Sequence, residues 1–167
     1  INKYTAELEI KQFEKLLSNK TKIVAVTHCS NIVGTFNNLK LISYMAHQKG
    51  AYVIGDGVSF APHGFPNIKE LGVDFYTFSL YKTYGPHVAL LFGKEEILKK
   101  LPNQNHEFLD GLYPYTLNPG GPNHEELVSL IGIFEYFNTL YKHHFNDNEK
   151  SIRIKIMDFL ARREHSS

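Results

Sequence analysis

Apolar positions along the 167-residue chain change their period several times. The opening stretch ELEIKQFEKLL sets Leu8, Phe13, Leu16 and Leu17 at a spacing that suits one helical face. KIVAVTH, Lys22 to His28, is short and β-branched, as a buried strand is. NLKLISYMAHQKG returns to helical spacing through Leu39, Ile42, Met45 and Ala46 and stops on Gly50, a residue suited to the position past a helix end. AYVIGDG predicts a second strand, NIKELG a short helix closed by Gly72, DFYTFS a third strand, and HVALLFG a fourth after the turn at Gly85 and Pro86.

Strands separated by helices require crossover connections. The expected fold class is therefore α/β, with a mostly parallel sheet covered by helices on both faces. The link from the third strand to the fourth is too short for a crossover helix, so that pair is expected to be antiparallel. Beyond Gly93 lies a loop rich in Pro, Asn and Gly. Asn123 and Glu126 then form a capping arrangement that opens one long helix, with Leu127, Leu130, Ile131, Phe134 and Tyr141 on its inner face. The charged segment NDNEKSIRIKIMDFLARREHSS predicts a last helix. No repeat or second boundary interrupts residues 1–167, which read as a single domain.

Composition narrows the class. At 43% hydrophobic and 13% aromatic the chain can bury one sizeable core. Eighteen basic residues against seventeen acidic ones leave a net charge of +1, so no global field points to nucleic acid. The single cysteine, Cys29, excludes an intramolecular disulfide and a cysteine-based zinc cluster, consistent with a reducing compartment. The apolar runs fall short of the roughly 18 residues that a membrane span needs, and no basic-then-apolar leader opens the chain. The expectation is a soluble, cytoplasmic protein with neither nucleic acid nor membrane as a partner. The chain begins on Ile1 and enters a patterned stretch at once, as an internal piece of a longer protein would.

In open parallel sheets ligands sit at the carboxyl ends of the strands. Here the first strand runs into Thr27, His28, Ser30 and Asn31, the second into Asp56 and Ser59, and the third into Ser79, Tyr81 and Lys82. An amine and a carboxylate on neighbouring strand ends suit pyridoxal phosphate (PLP). Lysine captures its aldehyde, and aspartate holds its pyridine nitrogen protonated so that the ring takes up electrons. Ser79 and Tyr81 are candidates for the phosphate end. Each residue has a plainer reading. Lys82 read alone is a solvated lysine, Asp56 beside two glycines is a turn residue, and Ser30 and Asn31 are caps. His28, His63 and His87 lack the close spacing of a zinc site and read as neutral, hydrogen-bonded histidines, while His143 and His144 read as a solvated helix end. No glycine-rich nucleotide loop is present.

THCSNIVGT, IGDGVSFAPHG, DFYTFSLYKTYGPH and LLFGKEEIL, in this order and spacing, resemble the cysteine desulfurase-like branch of the class V aminotransferases, PLP enzymes of fold type I. The resemblance runs from about Lys22 to Tyr141. It implies that Lys82 forms the Schiff base and moves protons at the substrate's alpha carbon, that Asp56 partners the pyridine nitrogen, that Asn31 lies near the ring's phenolic oxygen, and that Ser79 holds phosphate. Tyr81 and Ser59 stand where desulfurases commonly carry histidine and glutamine, and Gly121 where relatives carry a threonine that reaches a partner's phosphate.

The resemblance further implies a small-molecule amino-acid substrate and a homodimer. It also implies that the chain is the central part of the PLP-binding large domain, without its N-terminal part and the C-terminal small domain. The family's other phosphate loop, ring-stacking residue, persulfide cysteine and substrate-carboxylate arginine have no counterpart in these residues. Cys29 is expected to be a small buried hydrophobe. Desulfuration, elimination, transamination and epimerisation all stay open, as does a non-catalytic scaffold that retains the fold.

Overall fold

Four five-residue strands form one sheet in the computed structural model, which describes residues 1–145 and 154: β1 (Ile23–Thr27), β2 (Tyr52–Asp56), β3 (Phe75–Ser79) and β4 (Ala89–Gly93). They lie side by side in chain order. The first three are parallel, and β4 runs antiparallel to β3, as the short link requires. The expected α/β class with one antiparallel strand is the observed one. Thr27 pairs with Asp56 and Asp56 with Thr77, so the first two strands finish level against the third, two residues before its own end.

Helix α1 (Ile10–Leu16) precedes the sheet. Its Ile10 and Phe13 lean on the core together with Leu8, whereas Leu16, expected on the inner face, is 80% exposed. Helix α2 (Leu39–His47) starts where the Asn38 side chain accepts a hydrogen bond from the Leu41 N–H at 3.0 Å. It buries Leu39, Ile42, Ser43 and Ala46, one face at helical spacing. Helix α3 (Ile68–Leu71) ends on Gly72, whose φ of 71° a side chain would strain.

Both helices pack on the same side of the sheet, over Val53, Tyr76 and Phe78. Among the described residues the expected coverage of both faces is not seen: on the far side Ile23, Tyr52 and Leu91 are 60%, 48% and 53% exposed. The cause is topological. Strands laid down in sequential order by crossovers of one hand put successive helices on one face.

After β4 come α4 (Glu95–Leu98), α5 (His124–Ser129) and α6 (Ile131–His144). The Asn123 cap is present, its side chain accepting from the Glu126 N–H at 3.0 Å. The single long helix expected here is instead divided at Leu130, where three-residue hydrogen bonds from Leu130 N–H to Leu127 and from Ile133 N–H to Leu130 tighten the turn. The tightening rotates the buried face onto Ile133, Phe137 and Tyr141, leaving Ile131 and Phe134 60% and 51% exposed. His143 and His144 are exposed at the end of α6, as expected. The helix predicted after residue 145 lies outside the described residues.

At the amino end of β3 the carboxylate of Asp74, 3% exposed, accepts from Lys94 Nζ at 2.7 Å, His47 Nε2 at 2.8 Å and the Val53 N–H at 2.7 Å. These contacts fasten α2, β2 and the end of β4 to one buried charge. Burial alone would raise the Asp74 carboxyl, but the Lys94, His47 and Val53 donors outweigh it and hold the group below its ordinary value of 3.8. Asp74→Asn, which strips the charge from a buried pair, is expected to cost about 3 kcal/mol in urea unfolding at neutral pH. The unfolded chain takes up the Asp74 proton near pH 3.8 and the folded chain only below it. The contribution is therefore complete above that pH and fades beneath it, and the gap between wild type and variant should narrow there.

Candidate active site

The loop after β1 folds back on itself through Ser30, whose N–H donates to the Thr35 carbonyl at 2.9 Å and whose hydroxyl accepts from the Ile32 and Val33 N–H groups, both at 3.3 Å. Ser30 therefore takes the capping duty, while Asn31 lines an adjacent cavity. That cavity, of about 530 Å³, lies within the usual size of small-ligand sites. Its walls bring together Asn31, Ser59, His63 and Lys82 with the apolar Ile32, Phe36 and Pro62.

Lys82 arrives on a 3-10 turn, Leu80–Thr83, directly after β3. The turn is locked by the buried Thr83 hydroxyl donating to the Leu80 carbonyl at 2.9 Å. Lys82 is half-buried and stands on the cavity wall, unlike a solvated surface lysine. Ser59 reaches the same wall from the turn after β2. Asp56 ends β2 between Thr27 and Thr77, and one of its carboxylate oxygens accepts from the Val58 N–H at 2.9 Å. It is thus a turn residue as well as a candidate ligand. Ser79 is half-buried and makes no side-chain bond to cap the turn it precedes. Tyr81 is 48% exposed and stacks on His87 with ring centroids 4.9 Å apart. Asp56, Ser79 and Tyr81 stand at the strand ends beside the cavity, and among the described residues they are not part of its walls.

Cys29 is 5% exposed, as expected of a small buried hydrophobe, with its thiol raised by burial; it also touches the cavity. His87 is exposed, on the other side of the Tyr81 stack.

Behind this rim His28 and Tyr76 form a buried pair. His28 is the neutral, hydrogen-bonded histidine expected: its Nδ1 shares a 2.8 Å hydrogen bond with the hydroxyl of Tyr76, and burial lowers its pKa from 6.5 to about 4. Inside DFYTFS, Tyr76 has the pattern of an ordinary core aromatic. It is 0% exposed, and burial, followed by the nearby Asp56 and Cys29, pushes its phenol well above the ordinary tyrosine value. The signal was available in GDG, because glycines flanking a strand-end aspartate mark a close approach by another group.

The carboxyl edge of this α/β sheet thus brings an amine, an amide and a hydroxyl onto one cavity, with a carboxylate at the neighbouring strand end, the place where sheets of this kind hold ligands. The chain belongs to the class V aminotransferase family, whose pattern residues 2–166 match. It is 38% identical over 160 residues to the aminotransferase-like protein FGM3 of Gibberella zeae, covering 93% of this chain and 40% of that one. It is 42% identical over 114 residues to a probable cysteine desulfurase of Halalkalibacterium halodurans, covering 65% and 28%. The apo cysteine desulfurase of Thermococcus onnurineus NA1 superposes with a TM-score of 0.66 at 26% identity, over 81% of this chain and 37% of that one. The cysteine desulfurase CsdA of Escherichia coli shares the fold with a TM-score of 0.72 at 24% identity, over 92% and 39%. The chain thus spans 40% or less of these proteins' length. Enzymes of this family are PLP-dependent. No helix among the described residues is long and apolar enough to cross a membrane.

The buried histidine has a measurable signature. Between pH 6.5 and about 4 the unfolded chain binds a proton at His28 that the folded chain refuses. Stability should therefore fall across that window by up to about 1.4 kcal/mol per pH unit, and His28→Asn should remove this component. Urea midpoints of both proteins at pH 7, 5.5 and 4.5 check it.

Proposed function

We propose that this chain carries the lysine-bearing part of a PLP site in a desulfurase-like enzyme that acts on an amino acid. The observation that supports it best is the meeting of Lys82, Asn31 and Ser59 on one cavity wall, with Asp56 closing the neighbouring strand. When bound, PLP supplies an aldehyde that captures amines and a ring that takes up electron density from the substrate's alpha carbon. The residues present fit it in kind: a half-buried amine, an amide, hydroxyls and a strand-end carboxylate, beside apolar walls that would cover a flat ring.

In this reading Lys82 would hold the cofactor through its amine and, once freed by a substrate amine, would carry a proton to and from the substrate's alpha carbon. Asp56 would accept a hydrogen bond from the ring nitrogen, the Asn31 amide would donate to the phenolic oxygen, and Ser79 would donate to phosphate, with Ser59 and Tyr81 along the rim. The locked 3-10 turn limits how far the lysine backbone can drift. Desulfuration, transamination and epimerisation differ in the groups that meet the substrate beyond its alpha carbon, and the proposal leaves that choice open. Homodimerisation belongs to the same proposal and is supported by the exposed apolar row Val128, Ile131 and Phe134 on α5 and α6.

Mixing the chain with PLP and reducing with borohydride should leave one pyridoxyl group on Lys82, located by peptide mass spectrometry. Lys82→Ala should lose both the label and the visible absorbance band, and Asp56→Ala should weaken retention. Label scattered over surface lysines, or none on Lys82, would favour the scaffold reading instead. Light scattering at high protein concentration should give twice the 19.2 kDa chain mass, and a monomer would count against the dimer.

A further inference from the structure

We propose that Tyr76 and His28 form a positioning pair that sets the direction of the Asp56 carboxylate. The inference deepens the PLP reading, on which it rests for its purpose but not for its geometry.

The Tyr76 ring lies along the underside of β2, against the backbone of the residues on either side of Asp56. A Cβ at Gly55 would come within 2.8 Å of Tyr76 Cδ2, and one at Gly57 would overlap the Tyr76 hydroxyl. Side chains alternate across a strand, so the face that takes this ring is the one opposite the Asp56 carboxylate. The hydroxyl at the far end of the ring meets His28 Nδ1 at 2.8 Å. The same histidine donates its backbone N–H to the Asp56 carbonyl at 2.7 Å, and its imidazole stacks on Phe60 with centroids 3.7 Å apart. Phe60 in turn donates its N–H to the Gly57 carbonyl at 3.0 Å, and the Gly57 N–H donates to Thr77 at 2.8 Å.

The segment from Gly55 to Gly57 is thus held by β1, by β3 and by the following turn. The hydrogen bond between Tyr76, on β3, and His28, just past β1, reaches beneath Asp56 from both sides. Removing the hydroxyl leaves a buried Nδ1 without its partner and frees the ring to shift under Gly57. The first consequence falls on the turn that Asp56 closes through its 2.9 Å bond from the Val58 N–H. Tyr76 and His28 touch no reacting atom, and they act through the placement of Asp56.

The test uses the ligand-free chain. Amide exchange followed by NMR should show Val58 exchanging about tenfold faster in Tyr76→Phe than in wild type, and the Asp56 carboxyl carbon resonance should move. Ile97→Val, a truncation of a buried side chain on α4 outside the core cluster that holds Tyr76, should leave Val58 exchange near the wild-type rate. Phe60→Leu, which removes the stack but keeps the tyrosine, should give the same local pattern in weaker form, and it decides the matter if Tyr76→Phe does not fold. Unchanged Val58 exchange and an unmoved Asp56 resonance in a folded variant would overturn the proposal. Borohydride labelling is then run on the same proteins. No label on wild-type Lys82 together with altered Val58 exchange would sink the PLP reading and leave the positioning pair standing, whereas full label with unaltered exchange would do the reverse.

Discussion

The contact on which this structure turns is that of the Tyr76 ring with two glycines of the neighbouring strand. A side chain at 55 or 57 would take the volume that the ring fills, so β2 and β3 can pair at their observed register only because both positions are bare. That register brings Asp56 opposite Thr77 and sends β3 into the Lys82 turn immediately beyond the rim. A large buried aromatic ordinarily contributes by area alone. Here its hydroxyl also bonds His28, just past the end of β1, so packing and polarity act through one side chain.

The two ends of the sheet handle buried polarity in opposite ways. At the amino end a charge is kept: Asp74 is ionised and is met by a lysine, a histidine and a backbone N–H, which offset the cost of taking it out of water. At the carboxyl end charge is kept out of the interior. His28 and Tyr76 are held neutral, one by a lowered and the other by a raised pKa, each because burial disfavours its ionised form. The interior behind that strand end is therefore uncharged, and the ionisable Asp56 and Lys82 stand at its edge.

The strands were legible because each is a short β-branched or aromatic run bounded by turn residues, and the antiparallel β4 followed from the length of one loop. Asn31, Ser59 and Lys82 could be placed on one edge because a parallel sheet delivers the ends of its strands together, and their convergence on one cavity follows from that. Coverage of the sheet's far face could not be read, since it depends on the hand of the crossovers and on surfaces beyond these residues. Nor could Tyr76 be distinguished from an ordinary core aromatic: DFYTFS says that alternate side chains go inward, but not that one of them ends on His28, forty-eight positions earlier.

The phase of α6 bears directly on the lysine. A uniform helical period from Asn123 would have turned Ile131 and Phe134 inward. The tightened turn at Leu130 presents Ile133 and Phe137 instead. Phe137 meets the edge of Tyr84 with centroids 5.3 Å apart, and Tyr136 packs beside the same ring at 5.3 Å. Tyr84 closes the Lys82 turn in a left-handed conformation, φ 67°, which is costly for a residue with a side chain and persists where packing holds it. The cluster of rings on α6 supplies that packing. A few tenths of a turn in a helix far along the chain thus determines whether the backbone bearing the lysine has a wall to rest against.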